Sequence, residues 1–185
     1  MVTRSWYTSE LTSPVQWGAV VGGVVVALIV HILLNMIGAG IGAVSMDAPT
    51  EGQAQALGWG AFGWWSISGI IAAFLGGWSA GAFSSAIGST NGGLHGFLSW
   101  AVTTILVVIG AAIATGTAAA VIGAMFAPLP TAVTERPQET SEAAQTAFAL
   151  FSLASVVALL IGAVAATWGG RLANTVAPEV RPSRR

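Results

Sequence analysis

The sequence predicts an all-α fold, an integral membrane four-helix bundle with both termini on the cytoplasmic side. Three observations predict it. Hydrophobic residues make up 55% of the 185 positions and charged residues only 7%, whereas about a quarter of an ordinary soluble domain is charged. The chain divides into four apolar runs, each longer than the roughly 20 residues needed to cross a bilayer. All seven prolines lie outside those runs or at their very ends, where they do not interrupt a helix.

The first helix is expected over 14–44. No charged residue stands between Glu10 and Asp47, and Ser13-Pro14-Val15-Gln16 has capping-box spacing with proline at the first helical position. The apolar run is about twice the length of a signal-peptide core and no basic segment abuts it, so it is expected to be retained. Met1 to Ser13 is polar but holds Trp6 and Tyr7, which suits a foot along the headgroups.

The second helix is expected over 58–83, with Trp59, Trp64 and Trp65 at its start and Trp78 near its end. An uncharged serine- and glycine-rich turn, S-S-A-I-G-S-T-N-G-G, then leads to a third helix over 94–126, stopped by Pro128 and Pro130. Ser141 with Glu142 behind it starts the fourth, over 141–172. The whole chain reads as a single transmembrane domain.

Arginines near membrane ends are retained on the cytoplasmic side. Arg4, Arg171, Arg181, Arg184 and Arg185 lie on the terminal side and only Arg136 in the two long loops. This orientation puts Trp17, Trp78, Trp100 and Trp168 at the inner interface, and Trp59, Trp64 and Trp65 at the outer one. A weak duplication of a helical hairpin is also legible. At a constant offset Ile71, Ala73 and Trp78 fall on Ile161, Ala163 and Trp168, and Gly76 falls on Ala166.

Each helix carries small residues at helical spacing. Ala27, His31, Asn35, Gly38 and Gly42 share a face of the first, and Gly69, Ala73, Gly76 and Ala80 a face of the second. Gly110, Ala114 and Thr117 do so in the third, and Ser155, Gly162, Ala166 and Gly169 in the fourth. Lipid supplies little hydrophobic drive between helices, so close backbone approach at such residues holds them together. Gly18 and Gly22 lie opposite the seam of the first helix and are expected to face a neighbouring chain.

Six basic and seven acidic residues nearly cancel, so nucleic acid is not an expected partner. There is no cysteine, which removes disulfides, thiolate metal sites and cysteine nucleophiles. No Asp, Glu, Lys or Arg stands between Glu51 and Glu135 or between Glu142 and Arg171, so the spans lack the ionisable relay of pumps and proton-coupled transporters. No paired carboxylates, metal cluster or phosphate-binding loop is recognisable. The expectation is a protein that is not an enzyme, with no metal and no cofactor, though a bound lipid is compatible with it.

The polar intramembrane pair is His31 and Asn35, one turn apart near mid-span. Their expected role is hydrogen bonding across helices; the sharper alternative is ligand or proton handling by His31. Geometry argues against a haem held by His31 and His95, since the two differ in depth by about 28 Å on parallel helices. His95 is expected at the inner interface near the Ser/Gly turn.

The segments W-G-A at 17–19, L-L-N-M-I-G-A-G-I-G at 33–42, G-G-W-S-A-G at 76–81 and L-H-G at 94–96 together resemble a group of uncharacterised small proteobacterial membrane proteins, some labelled PhnA-like. The resemblance covers the first three helices. It implies a four-helix protein of the bacterial inner membrane with no established activity, and no residue here supports phosphonate chemistry. The expected function is a structural or accessory subunit of a homo-oligomer or a larger inner-membrane complex, in contact with membrane lipids. The alternative is a passive channel or small-solute transporter lined by His31, Asn35, Thr103, Thr104 and Thr117.

Overall fold

The computed structural model describes residues 15–44, 51–84, 89–114, 116 and 142–176. They form four helices: α1 Trp17–Val44, α2 Glu51–Phe83, α3 Ser89–Ala114 and α4 Glu142–Val176. Each contains a stretch long and apolar enough to cross a membrane, the shortest being Thr90–Ile113 with 24 residues. At 1.5 Å per residue that stretch spans about 36 Å, against a hydrocarbon core of about 30 Å.

The helix ends differ from the sequence expectation for local reasons. Helix α1 begins at Trp17, not at 14, because the Gln16 carbonyl accepts the first helical bonds, from the Ala19 and Val20 N–H groups at 3.0 and 3.2 Å. The capping box at Ser13 lies outside the described residues. Helix α2 starts at Glu51 instead of 58: Glu-Gly-Gln-Ala-Gln-Ala-Leu is polar, but most of its residues favour helix. Hydropathy marks where a chain enters lipid, not where its helix begins.

Helix α3 starts at Ser89, so the end of the expected turn is helical. Gly92 and Gly93 are poor helix formers, yet a Cβ on Gly92 would overlap the Gly170 carbonyl, and one on Gly93 would stand 2.9 Å from the Arg171 side chain. The packing of α4 outweighs their propensity. The same helix ends at Ala114, not 126. Gly116 adopts a φ of +70° and donates its N–H to the Ile113 carbonyl at 3.1 Å, a left-handed glycine stop. Pro128 and Pro130 lie outside the described residues. Helix α4 runs past 172 to Val176.

Neighbouring residues set the topology. Gly23 meets Gly76, and Gly38 meets Trp64, so α1 and α2 are antiparallel. Gly96 meets Ala166, and Gly92 meets Gly170, so α3 and α4 are antiparallel as well. Ala73 lies beside Gly162, Gly77 beside Ala166 and Gly81 beside Gly170, which makes α2 and α4 parallel neighbours at one constant sequence separation. That register is one residue short of the offset at which their sequences match.

Helices α2 and α3 each contact all three others, whereas α1 makes no contact with α4 among the described residues. Two stripes of small residues set α2 against α1 and α4. Gly69, Gly76 and Ala80 face α1: a Cβ on Gly76 would lie 2.6 Å from the Ala27 Cβ, and one on Gly23 would lie 2.7 Å from the Ala80 Cβ. Ala73, Gly77 and Gly81 face α4, where a Cβ on Gly77 or Gly81 would run into backbone atoms of Ala166 or Gly170. Such contacts let backbones approach until dispersion is effective without a hydrophobic drive.

Candidate functional site

Polar groups collect at two levels of the bundle. The first lies at the Trp17 end. His95 is fully buried, on the α3 face that also carries Gly92, Gly96 and Ser99. Its Nε2 accepts the Gln16 backbone N–H at 2.9 Å, which requires that nitrogen to carry its lone pair. In the neutral ring the proton then sits on Nδ1 and is donated to the Asn91 carbonyl at 2.7 Å. His95 therefore supplies from another helix the acceptor that a capping-box side chain supplies locally. It pairs with the start of α1, fifteen residues before His31, or about 22 Å; the two imidazoles are too far apart along the bundle to share one haem.

The second level is near mid-span. The His31 ring crosses to α2, lying 3.5 Å from where a Cβ of Gly69 would stand. It makes a hydrogen bond with the Ser68 backbone and sits edge-on to Trp65 with ring centroids 6.0 Å apart. Asn35 behaves differently from the expected interhelical bond. Its Nδ2 donates to the His31 carbonyl of its own helix at 2.8 Å, because an amide one turn along reaches that carbonyl without needing a partner.

Beside His31 is a cavity of about 260 Å³ bounded by all four helices. Thr103 and Thr104 of α3, Trp65 and Ser66 of α2, and Trp100 line it together with His31. The hydroxyl oxygens of Ser66 and Thr103 are buried and have no hydrogen-bond partner among the described residues. A wider groove of about 1500 Å³ runs between α1, α2 and α4 toward the Val44 end, and Trp65 and Ser155 line both spaces. Of the residues read as pore lining, His31, Thr103 and Thr104 share the cavity. Asn35 lines the groove instead, and Thr117 lies outside the described residues.

The glycines read as packing residues fall into two groups. Gly38, Gly69, Gly76, Gly162 and Gly169 are covered by neighbouring helices: a Cβ on Gly162 would stand 3.0 Å from Trp100 Nε1, and one on Gly169 would stand 3.1 Å from the Trp78 backbone nitrogen. At Gly38 the missing side chain lets the Trp64 indole lie on the α1 backbone and donate Nε1–H to the Leu34 carbonyl at 2.9 Å. Gly18, Gly42 and Gly110 have open space beside them. Gly22 departs from the expected pairing with Gly18, because the Phe83 ring of α2 covers it, 2.8 Å from where its Cβ would be.

Trp100 also departs from its expected place at the interface with Trp17. It packs on Gly162 inside the bundle and lines the cavity, whereas Trp17 and Trp168 are largely exposed. Sequence reading missed Ser66, the inward turn of Trp100, the contact of Trp65 with His31, and the second α2 stripe at Gly77 and Gly81. A signal for the stripe was present, since Ala73, Gly77 and Gly81 repeat every fourth residue as Gly162, Ala166 and Gly170 do. It was masked by the overlapping stripe on the adjacent face. Among the described residues no three His, Asp or Glu side chains gather as a metal site.

No family model, curated protein or solved structure matches the chain.

Proposed function

We propose that this protein is a non-enzymatic, multi-pass protein of the bacterial inner membrane, acting as a structural or accessory subunit of a homo-oligomer or a larger complex. The reading is carried by the position of α1. It is peripheral, joined mainly to α2, and its outer face is open from end to end. Val25, Ile29, Ile32 and Met36 are exposed there, with nothing beside Gly18 and Gly40. Glycines at both ends of an exposed apolar face allow a second helix to come within backbone contact. The cytoplasmic placement of both termini rests on the arginine distribution, and the inner-membrane location on the resemblance of the first three helices.

Native mass spectrometry of the protein extracted gently from its own membrane tests the assignment. The expected species is a discrete homo-oligomer or a complex with larger subunits, shifted toward monomer by Gly18→Leu with Gly40→Leu. A lone monomer from the native membrane overturns it.

A second reading, a passive channel or small-solute transporter, is favoured by one observation: His31, Thr103 and Thr104 surround the same mid-span cavity. Flux of small neutral solutes into liposomes containing the protein separates the two, because a subunit with a purely structural role gives none above protein-free vesicles.

A further inference from the structure

The groove at the Val44 end and the cavity beside His31 adjoin at Trp65 and Ser155, within the depth that the apolar helices span. We propose that the two together hold one acyl chain of a phospholipid, its headgroup outside the groove and its chain end in the cavity. This goes beyond the assembly reading and does not depend on it.

Position sets the direction of entry. The groove begins between Ala43 and Ala56, where the apolar stretches of α1 and α2 have their limits. It reaches Trp65 nine residues further along α2, about 14 Å, close to one leaflet's share of a hydrocarbon core about 30 Å thick. Helices α1 and α4 both border the groove but do not touch among the described residues, so a chain can enter between them from the bilayer. The cavity then receives its end near mid-span.

The lining selects hydrocarbon. Among the described residues no Asp, Glu, Lys or Arg borders either space, so a charged group there would be desolvated without a counter-charge. Asn35 and Trp64 donate to the His31 and Leu34 carbonyls of α1, and Ser155 donates to the Phe151 carbonyl of its own helix. The Ser66 and Thr103 hydroxyl oxygens are wholly covered and do not open into the cavity. What remains for an occupant is mainly apolar in the groove and almost wholly apolar in the cavity, which favours a hydrocarbon chain over a group that must hydrogen-bond.

Width separates a chain from a partner helix. The cavity of about 260 Å³ equals a sphere about 8 Å across, whereas a helix with its side chains is about 10 Å across or more. A helix would fill the groove and leave the cavity empty, forfeiting the dispersion contacts that a flexible chain restores. Glycines keep the groove wide, since Gly42, Gly58 and Gly60 line it with nothing within 4 Å of where a Cβ would stand.

The test uses the full chain in phosphatidylcholine liposomes containing a trace of phosphatidylcholine with a diazirine at the end or the middle of one acyl chain. Adducts formed on illumination are mapped by peptide mass spectrometry. The chain-end probe should label Val107 and Leu159, which line the cavity, and the mid-chain probe Ala39 and Phe62, which line the groove. Leu153 and Val164 are largely exposed and report bulk lipid. Ala158→Leu, which fills the cavity from α4, should cut labelling of Val107 and Leu159 about tenfold or more and leave Leu153 and Val164 unchanged. If it fails to fold, as judged by circular dichroism, Gly42→Leu with Gly60→Leu meets nothing in the bundle and should lower groove and cavity labelling together.

Labelling confined to Leu153 and Val164 overturns the site, because only bulk lipid then touches the protein. Labelling of Ala39 and Phe62 without Val107 and Leu159 also overturns it, as do cavity adducts that neither variant reduces. Loss of the cavity adducts when decylubiquinone is added as a small fraction of the lipid overturns it too, since a quinone is then the occupant.

Discussion

His95 shows how one side chain joins two helices that sequence proximity does not bring together. Its Nε2 holds the Gln16 N–H at the start of α1 while Nδ1 bonds within α3, and the ring is wholly buried. Removing it leaves a buried donor without an acceptor, at a cost of about 1–3 kcal/mol. His95→Ala should therefore lower the melting temperature in mild detergent and speed amide exchange in the first turn of α1, leaving α4 unchanged. Exchange at Val15 to Val20 equal to that of the unaltered protein would rule out the capping role. The histidine and its position were legible in the sequence. Its partner was not, because a backbone N–H has no sequence signature.

At the level of elements, the order and direction of the helices were legible, and the faces that meet were only half so. The stripes of Gly69, Ala73, Gly76 and Ala80 and of Gly162, Ala166 and Gly169 were readable in the main, because glycine and alanine at helical spacing have few other uses in lipid, but Ala73 belongs to the face toward α4, beside Gly162, and not to the face that meets α1. In the third helix Gly110 was misplaced, while Thr117 lies outside the described residues. The buried face of α3 instead carries Gly92, His95, Gly96 and Ser99, and Gly110 is open. These placements predict opposite outcomes for similar substitutions. Gly77→Leu drives a side chain into the Ala166 backbone and should cost at least the 1–3 kcal/mol typical of overpacking, read as loss of the compact species in detergent. Gly110→Ala should leave the melting temperature unchanged or slightly raised, since alanine favours helix and meets nothing. Equal damage from both would refute the packing described.

For the molecule as a whole, the alternation of directions makes a topological prediction that the absence of cysteine renders clean. Single cysteines at Ser9 and Ser183 should react with a membrane-impermeant maleimide only after the cells are permeabilised, and one at Thr50 should react in intact cells. The reverse pattern would invert the orientation read from the arginines.

The sequence alone determined four spans, their rough limits and the scarcity of charge within them, because lipid demands long, uncharged, internally hydrogen-bonded helices and composition records that demand directly. Only the tertiary structure decided that α2 lies between α1 and α4, that Trp100 turns inward onto Gly162, and that all four helices border one cavity beside His31. The reason is physical: helices in a membrane are apolar all round, so hydrophobic periodicity does not separate a face that meets another helix from one that meets lipid. That distinction rests on shape, on which glycine admits which backbone, and shape exists only once the helices have packed.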